Sequence, residues 1–271
     1  MKLEEVFEQT HRLPTIPKVV QELIDSFNDD SIDIGRIAQK ISLDQVITAK
    51  VLRLANSVHF GATRRIGTVN EAMVVLGFNT VRTLVIASGI TGAFIATPGF
   101  DRKHFWHKSL TVSSDARWLA TQARVSPEMA FTCGILHNIG EMLVHVVSPE
   151  TATQIEKHHA DPAKSGDSAP EFDFVDASVE LVRRWNFPAL IVDALRHQDD
   201  PSGQVPPDAL SAILNLAIRL QQQAHDQDSL AAALTETSDD LLAQAGLDRE
   251  KLTEKLPELL DLRGGLDELV G

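Results

Sequence analysis

The chain has 271 residues, 43% of them hydrophobic and 23% charged, and its 15 glycines and 12 prolines are too few for a fibrous or disordered polymer. A single cysteine excludes an intramolecular disulfide and multi-cysteine metal frameworks, and fits a reducing compartment; the absence of tyrosine excludes a tyrosine-rich recognition surface. The net charge of −13 counts against a broad nonspecific nucleic-acid surface.

The charge is unevenly spread. Residues 1–150 carry 15 basic and 15 acidic side chains, residues 151–223 carry 6 and 11, and residues 224–271 carry 4 and 12. The first half can therefore present a local basic patch while the acidity gathers in the C-terminal part. The opening MKLEEVFEQT lacks the basic-then-apolar order of a signal peptide. No apolar run is expected to span a bilayer; the longest candidate, Thr83 to Ala96, is interrupted by Ser88, Gly89, Thr91 and Gly92. A cytoplasmic protein with no membrane contact is the expectation.

Apolar spacing is helical almost throughout. Ile16, Val19, Val20, Leu23 and Ile24 mark a helix with Pro17 in its first turn. Asp44 is placed to cap the next strong helix, with Ile47, Val51, Leu52 and Leu54 inward, ending near Asn56-Ser57. After the loop Gly61–Gly67, Thr68 or Asn70 restarts a helix that ends at Gly77. Asn79 to Ala96 predicts another helix, followed by the Pro98-Gly99 breaker, and His104 to Arg124 the longest amphipathic one. Pro127 opens one core helix carrying Met129, Phe131, Ile135, Leu136, Ile139, Leu143 and Val146. His158 to Pro170 predicts a loop; helices Val175–Trp185 and Pro188–His197 follow, joined at Asn186-Phe187-Pro188. The proline-rich stretch Asp199–Pro207 is the expected boundary, and the rest is helical with an acidic tail. The fold class is all-α.

Candidate chemistry centres on histidine. His137 lies in Gly134-Ile-Leu-His-Asn-Ile-Gly140 on the apolar helix, His107 in Phe105-Trp-His-Lys-Ser109, and His197 near the end of a later helix. Buried polar groups need partners, so His107, His137 and Asn138 are expected in one hydrogen-bonded internal cluster. His158-His159 reads as a surface pair. His197 suits a helix C-terminus. Cys133, one turn before His137, has no third group to complete a nucleophilic site and reads as a core thiol. Arg64 and Arg65, in a glycine-flanked loop, are candidate contacts for a phosphate or an acidic partner. Asn56 and Ser57 are expected to end their helix by side-chain bonds to backbone groups.

Several motifs together resemble a known family. Gly-Ile-Leu-His137-Asn138-Ile-Gly is similar to the His-Asp motif of the HD phosphohydrolase superfamily, with asparagine in place of aspartate. Leu13-Pro-Thr-Ile-Pro17, Ile41-Ser-Leu-Asp44, Leu52-Arg-Leu-Ala-Asn56-Ser57-Val-His-Phe-Gly61 and Ala72 with Leu76-Gly77 resemble the HDOD domain, over roughly residues 13–205. The division this implies is an HDOD domain over 13–205 and an acidic helical extension over 206–271. The resemblance implies an all-helical fold with an HD-like half and a second helical half, a role in bacterial signal transduction, and a family that has lost its catalytic set. An active HD enzyme holds metal with histidines and at least one aspartate, and the metal activates water. On that pattern His107 and His137 match the two histidines, Asn138 replaces the aspartate, Ala177 stands where relatives place a histidine, and His197-Gln198 stands where they carry a histidine pair.

The leading expectation is a noncatalytic regulatory module with no bound metal or cofactor, acting on separate signalling proteins, with a small-molecule ligand as an option in the remnant pocket. No receiver, kinase, cyclase or DNA-binding module is visible in the sequence. The competing reading is a metal-dependent phosphohydrolase built on His107, His137, Glu141 and His197, which requires those side chains to converge. Direct nucleic-acid binding through Arg64 and Arg65 is the third, and the acidic balance counts against it.

Overall fold

The computed structural model describes residues 1–9, 11, 13–27, 33–57, 64–94, 99–161, 170–223 and 226–264. Among them every regular element is helical. The first half comprises α1 (Leu3–Glu8), α2 (Lys18–Asp25), α3 (Ile34–Leu43), α4 (Gln45–Ala55), α5 (Val69–Leu76) and α6 (Phe78–Ala93). The second begins with α7 (Arg102–Gln122), α8 (Pro127–Leu136), α9 (Ile139–Val147) and α10 (Pro149–Ala160). It continues with α11 (Phe174–Arg184), α12 (Ala189–Arg196), α13 (Ala209–Gln223), α14 (Gln227–Glu236), α15 (Asp239–Ala245), α16 (Arg249–Glu254) and α17 (Leu256–Gly264).

Helix starts follow local chemistry. Asp44 accepts from the amides of Val46 and Ile47, Thr68 from Glu71, Asp101 from His104 and Ser126 from Met129. Each satisfies amides that the first helical turn leaves without partners. Gly77 ends α5 at φ 82°, as its position predicted. Pro17 sits one residue earlier than expected, as the N-cap of α2. At the end of α4 the Asn56 side chain does more than terminate a helix. Its amide donates to the carbonyls of Leu52 (2.6 Å) and Ile66 (2.9 Å), and its oxygen accepts from the Ile66 amide (2.7 Å). Asn56 thereby clamps the 64–67 segment like a short piece of sheet.

One continuous core runs through both halves, with Leu84, Ile86, Ile90, Leu119, Ile135, Leu136, Ile139, Met142 and Leu143 sealed from water. The hairpin of α7 and α8 is its spine, α13 packs along α7, and α9 packs on α11. Two glycines set these spacings. A Cβ at Gly134 would lie 2.4 Å from Ser113 Cα, and one at Gly140 would lie 2.1 Å from the Phe174 carbonyl oxygen and 2.5 Å from the Ser178 nitrogen. The helices therefore meet backbone to backbone.

Three expectations need correction. The apolar stretch after Pro127 is two helices: the ladder breaks at His137-Asn138, where Asn138 has φ −126° and ψ 24°. Pro127–Val147 is long and apolar enough to cross a membrane by length and composition, contrary to the sequence estimate, yet 72% of its apolar window is buried in this core. His158 and His159 end α10, and the His159 ring meets Phe174 edge-on at 5.8 Å. The tip of the Gly61 loop, Pro98, most of the His158–Pro170 loop and the acidic tail lie outside the described residues.

Residues beyond 205 pack directly on the rest. Arg263 on α17 forms a two-pronged ion pair with Asp115 of α7, with Nε 3.0 Å from Oδ1 and Nη2 on Oδ2. Asp115 is fully buried, and burial pushes its carboxyl up to about 6 although the Arg263 guanidinium pulls the other way.

Candidate functional site

The break between α8 and α9 creates the site. Ending a helix at Leu136 frees the His137 carbonyl, and Gln198, at the end of α12, fills it through Nε2 at 3.0 Å. Asn215 on α13 in turn donates to the Gln198 carbonyl at 2.6 Å. Gln198 is thus a structural donor to backbone, which explains an amide where the resemblance implies a histidine. Ser178 completes the support: its hydroxyl accepts from the Gly140 amide and donates to the Phe174 carbonyl, both at 2.8 Å.

Beside the break lies a polar cavity of about 310 Å³, bordered by α7, the helix break, α9, α10 and α13. His137 and Asn138 line it with Glu141, His145 and Glu156; from α7 come His104 and Lys108, and from α13 Gln221 and Gln222. His137 Nδ1 meets the Gly134 carbonyl at 2.7 Å, so Nδ1 carries the proton and Nε2 is left as an acceptor. Burial pushes His137 down to about 4, so the ring is neutral at physiological pH. The Asn138 amide donates to the Glu141 carboxylate. Burial raises the Glu141 carboxyl, while His145, Lys108 and the Asn138 donor pull it back. His145 engages both ring nitrogens, Nδ1 with the Glu141 carbonyl at 2.8 Å and Nε2 with Glu156 at 3.1 Å, and packs on Phe100 at 4.7 Å.

His107 does not line this cavity; Lys108, one residue on, does. His104 and Lys108 stand about one helical turn apart and share the cavity face. His197 also stands outside, with Nδ1 on the Asp193 carbonyl at 2.9 Å. Of the four side chains of the phosphohydrolase reading, His137 and Glu141 line the cavity, and His107 and His197 are not among its lining. Ala177 is fully buried with its Cβ against the Gly140 position, where an imidazole has no room.

These residues do not suit an HD-type metal centre. Glu141 is tied to an amide donor, both His145 nitrogens are engaged, and the Lys108 ammonium brings positive charge to the same space. Among the described residues no three His, Cys, Asp or Glu side chains are arranged to hold a metal ion. Cys133 is buried, and burial raises its thiol well above the usual range, which leaves it inert. Arg64 stands 3.8 Å from Glu71, and Arg65 borders a shallow cleft with Arg53, Asn56 and Ser57. The sequence reading missed His104, Lys108, His145 and Glu156; only the i, i+4 spacings 104–108 and 137–141–145 hinted at a shared face.

An all-helical domain built around a His-Asn break in its core helix is the class that this architecture and cavity define. The HDOD domain family model matches residues 13–201, and the chain belongs to that family. A crystal structure from Shewanella amazonensis SB2B, provisionally named a phosphohydrolase, is 31% identical and superposes with a TM-score of 0.81 over 98% of both chains. An HDOD domain protein of unknown function from Geobacter sulfurreducens is 22% identical, with a TM-score of 0.79 over 98% of this chain and 97% of that one. Both alignments extend past the family match into the C-terminal helices. An uncharacterized protein of Treponema pallidum (strain Nichols) is 24% identical over 219 residues, 76% of this chain. The chain spans 42% of that relative's length.

Proposed function

We propose that the protein is a noncatalytic regulatory module of bacterial signal transduction that works in the cytoplasm through contacts with separate signalling proteins. The observation that carries the reading is Lys108: an ammonium acting on Glu141 in the cavity where an HD enzyme needs metal, beside an asparagine in the aspartate position. A neutral amide and an ammonium cannot supply the carboxylate bridge that holds and charges a catalytic metal.

Protein contact has its own support. Leu43 is 84% exposed, Val46 67% and Val74 83%, on α3, α4 and α5, three helices that pack on one another. Large apolar side chains held in water on neighbouring elements favour a docking role.

The test is hydrolysis of bis-p-nitrophenyl phosphate with added manganese, iron or magnesium. The expected result is no turnover above the buffer blank, in the wild type and in His137→Ala alike. Metal-dependent turnover in the wild type that His137→Ala abolishes would overturn the reading and favour a phosphohydrolase, the activity provisionally named for the Shewanella protein. Metal content of Lys108→His/Asn138→Asp, compared with wild type, gives a second check: the double variant is expected to gain metal.

A further inference from the structure

A second cavity, of about 490 Å³, opens on the opposite face of α7, between that helix, α4 and α6. Its rim is strongly basic. Lys50 and Arg53 come from successive turns of α4, and Arg102 and Lys103 from the first turn of α7; no carboxylate is among the described residues lining it. Its floor is apolar, formed by Leu54, Ala87, Trp106 and Leu110.

Like charges are not gathered for stability. Lys50 has no ion pair among the described residues, and its ammonium is lowered by burial and by Arg102 and Arg53. Arg102 donates through Nη2 to the Thr91 carbonyl at 2.5 Å, while its buried Nε has no partner among the described residues. The Trp106 indole N–H is also without a partner among the described residues, in a side chain 5% exposed. Lys50, Arg102 and Lys103 around one cavity repel one another unless an anion joins them. Ser88 and Thr91 add hydroxyls that already donate to the Leu84 and Ser88 carbonyls, so their oxygens remain able to accept.

We infer that this cavity is a binding site for a nucleotide, its phosphates held by Lys50, Arg53, Arg102 and Lys103 and its base covered by Leu54, Trp106 and Leu110. Four cations suit the multiple charge of a phosphate chain better than a lone carboxylate. The volume lies within the range of small-molecule pockets. The apolar floor requires a ligand with a flat or greasy body, which inorganic phosphate lacks, and the Ser88 and Thr91 oxygens suit sugar hydroxyls. The site is separate from the His137 cavity and stands whether or not that cavity is catalytic.

The experiment is a fluorescence titration of the full chain with N-methylanthraniloyl ATP and GTP, with pyrophosphate as competitor. Saturable binding at micromolar concentration is expected, with pyrophosphate competing at least tenfold more weakly. Lys50→Gln and Lys103→Gln are each expected to weaken binding at least fivefold. Arg183→Gln, an exposed arginine on α11, is expected to leave it unchanged. The lysine side chains have no structural partner to lose, so both variants are expected to keep the wild-type circular dichroism and melting curve. No binding of either probe at millimolar concentration, or binding that neither lysine variant weakens, would overturn the assignment.

Discussion

Replacing Arg263 with alanine leaves Asp115 buried on α7 with no cation. In the native protein the Asp115 carboxyl already sits at about 6 against an ordinary 3.8, so ionising it costs about 3 kcal/mol at roughly 1.4 kcal/mol per pH unit. This is a raised acid: its contribution is most favourable below about pH 4 and declines as pH rises toward 6. In Arg263→Ala the carboxyl escapes by keeping its proton. At pH 8 that costs about two pH units more than in the wild type, or roughly 3 kcal/mol. At pH 5 the wild-type carboxyl is itself mostly protonated, so the added charge cost is close to zero. Packing lost with the arginine stem is the same at both pH values. Urea unfolding of both proteins at pH 8 and pH 5 measures the difference, and other titrating groups cancel in the comparison. Arg263→Ala is expected to be more damaging at pH 8 by about 3 kcal/mol. An equal loss at the two pH values would refute the buried ion pair as the source of the effect.

Three further variants test the site's supports. Gly140→Ala places a Cβ against the Phe174 carbonyl and the Ser178 amide and must push α9 from α11; a loss of about 1–3 kcal/mol, read as a lower melting temperature, is expected. Asn56→Ala removes both bonds to Ile66 backbone, and faster hydrogen exchange at the Ile66 amide is expected with a destabilisation of about 1–3 kcal/mol. His137 is a lowered base: its contribution is complete above about 6.5 and is lost as pH falls through about 4. His137→Gln should therefore flatten the stability profile between pH 6.5 and 4, and an unchanged slope in urea unfolding would count against a buried neutral imidazole.

Much of the fold was legible because its signals are local. Asp44 caps α4, Thr68 starts α5 and Gly77 ends it, each by chemistry that acts within a few residues. The break at His137-Asn138 was not legible, since apolar spacing continues across it from Ile135 to Leu143. Its causes are distant: Gln198 supplies the donor for the His137 carbonyl, and Gly140 is pinned against α11. Lys108 was not legible as a cavity residue, because nothing in its local sequence distinguishes it from an ordinary charged helix position. The basic cavity joins Lys50 and Arg53 to Arg102 and Lys103, which in sequence look like two ordinary polar helix segments.

Both cavities share one wall. Residues 101–109 of α7 supply His104 and Lys108 to the His137 cavity, and Arg102, Lys103 and Trp106 to the basic one. Farther along the same helix Ser113 meets Gly134 with no space for a methyl group, and Asp115 is locked to Arg263. A helix seated that closely cannot slide past α8 without breaking backbone contact. On one side of α7 Asn138 donates to Glu141 near the Lys108 ammonium, and on the other Arg102 and Lys103 of the same helix border the basic cavity, so a single rigid element positions the charges of both.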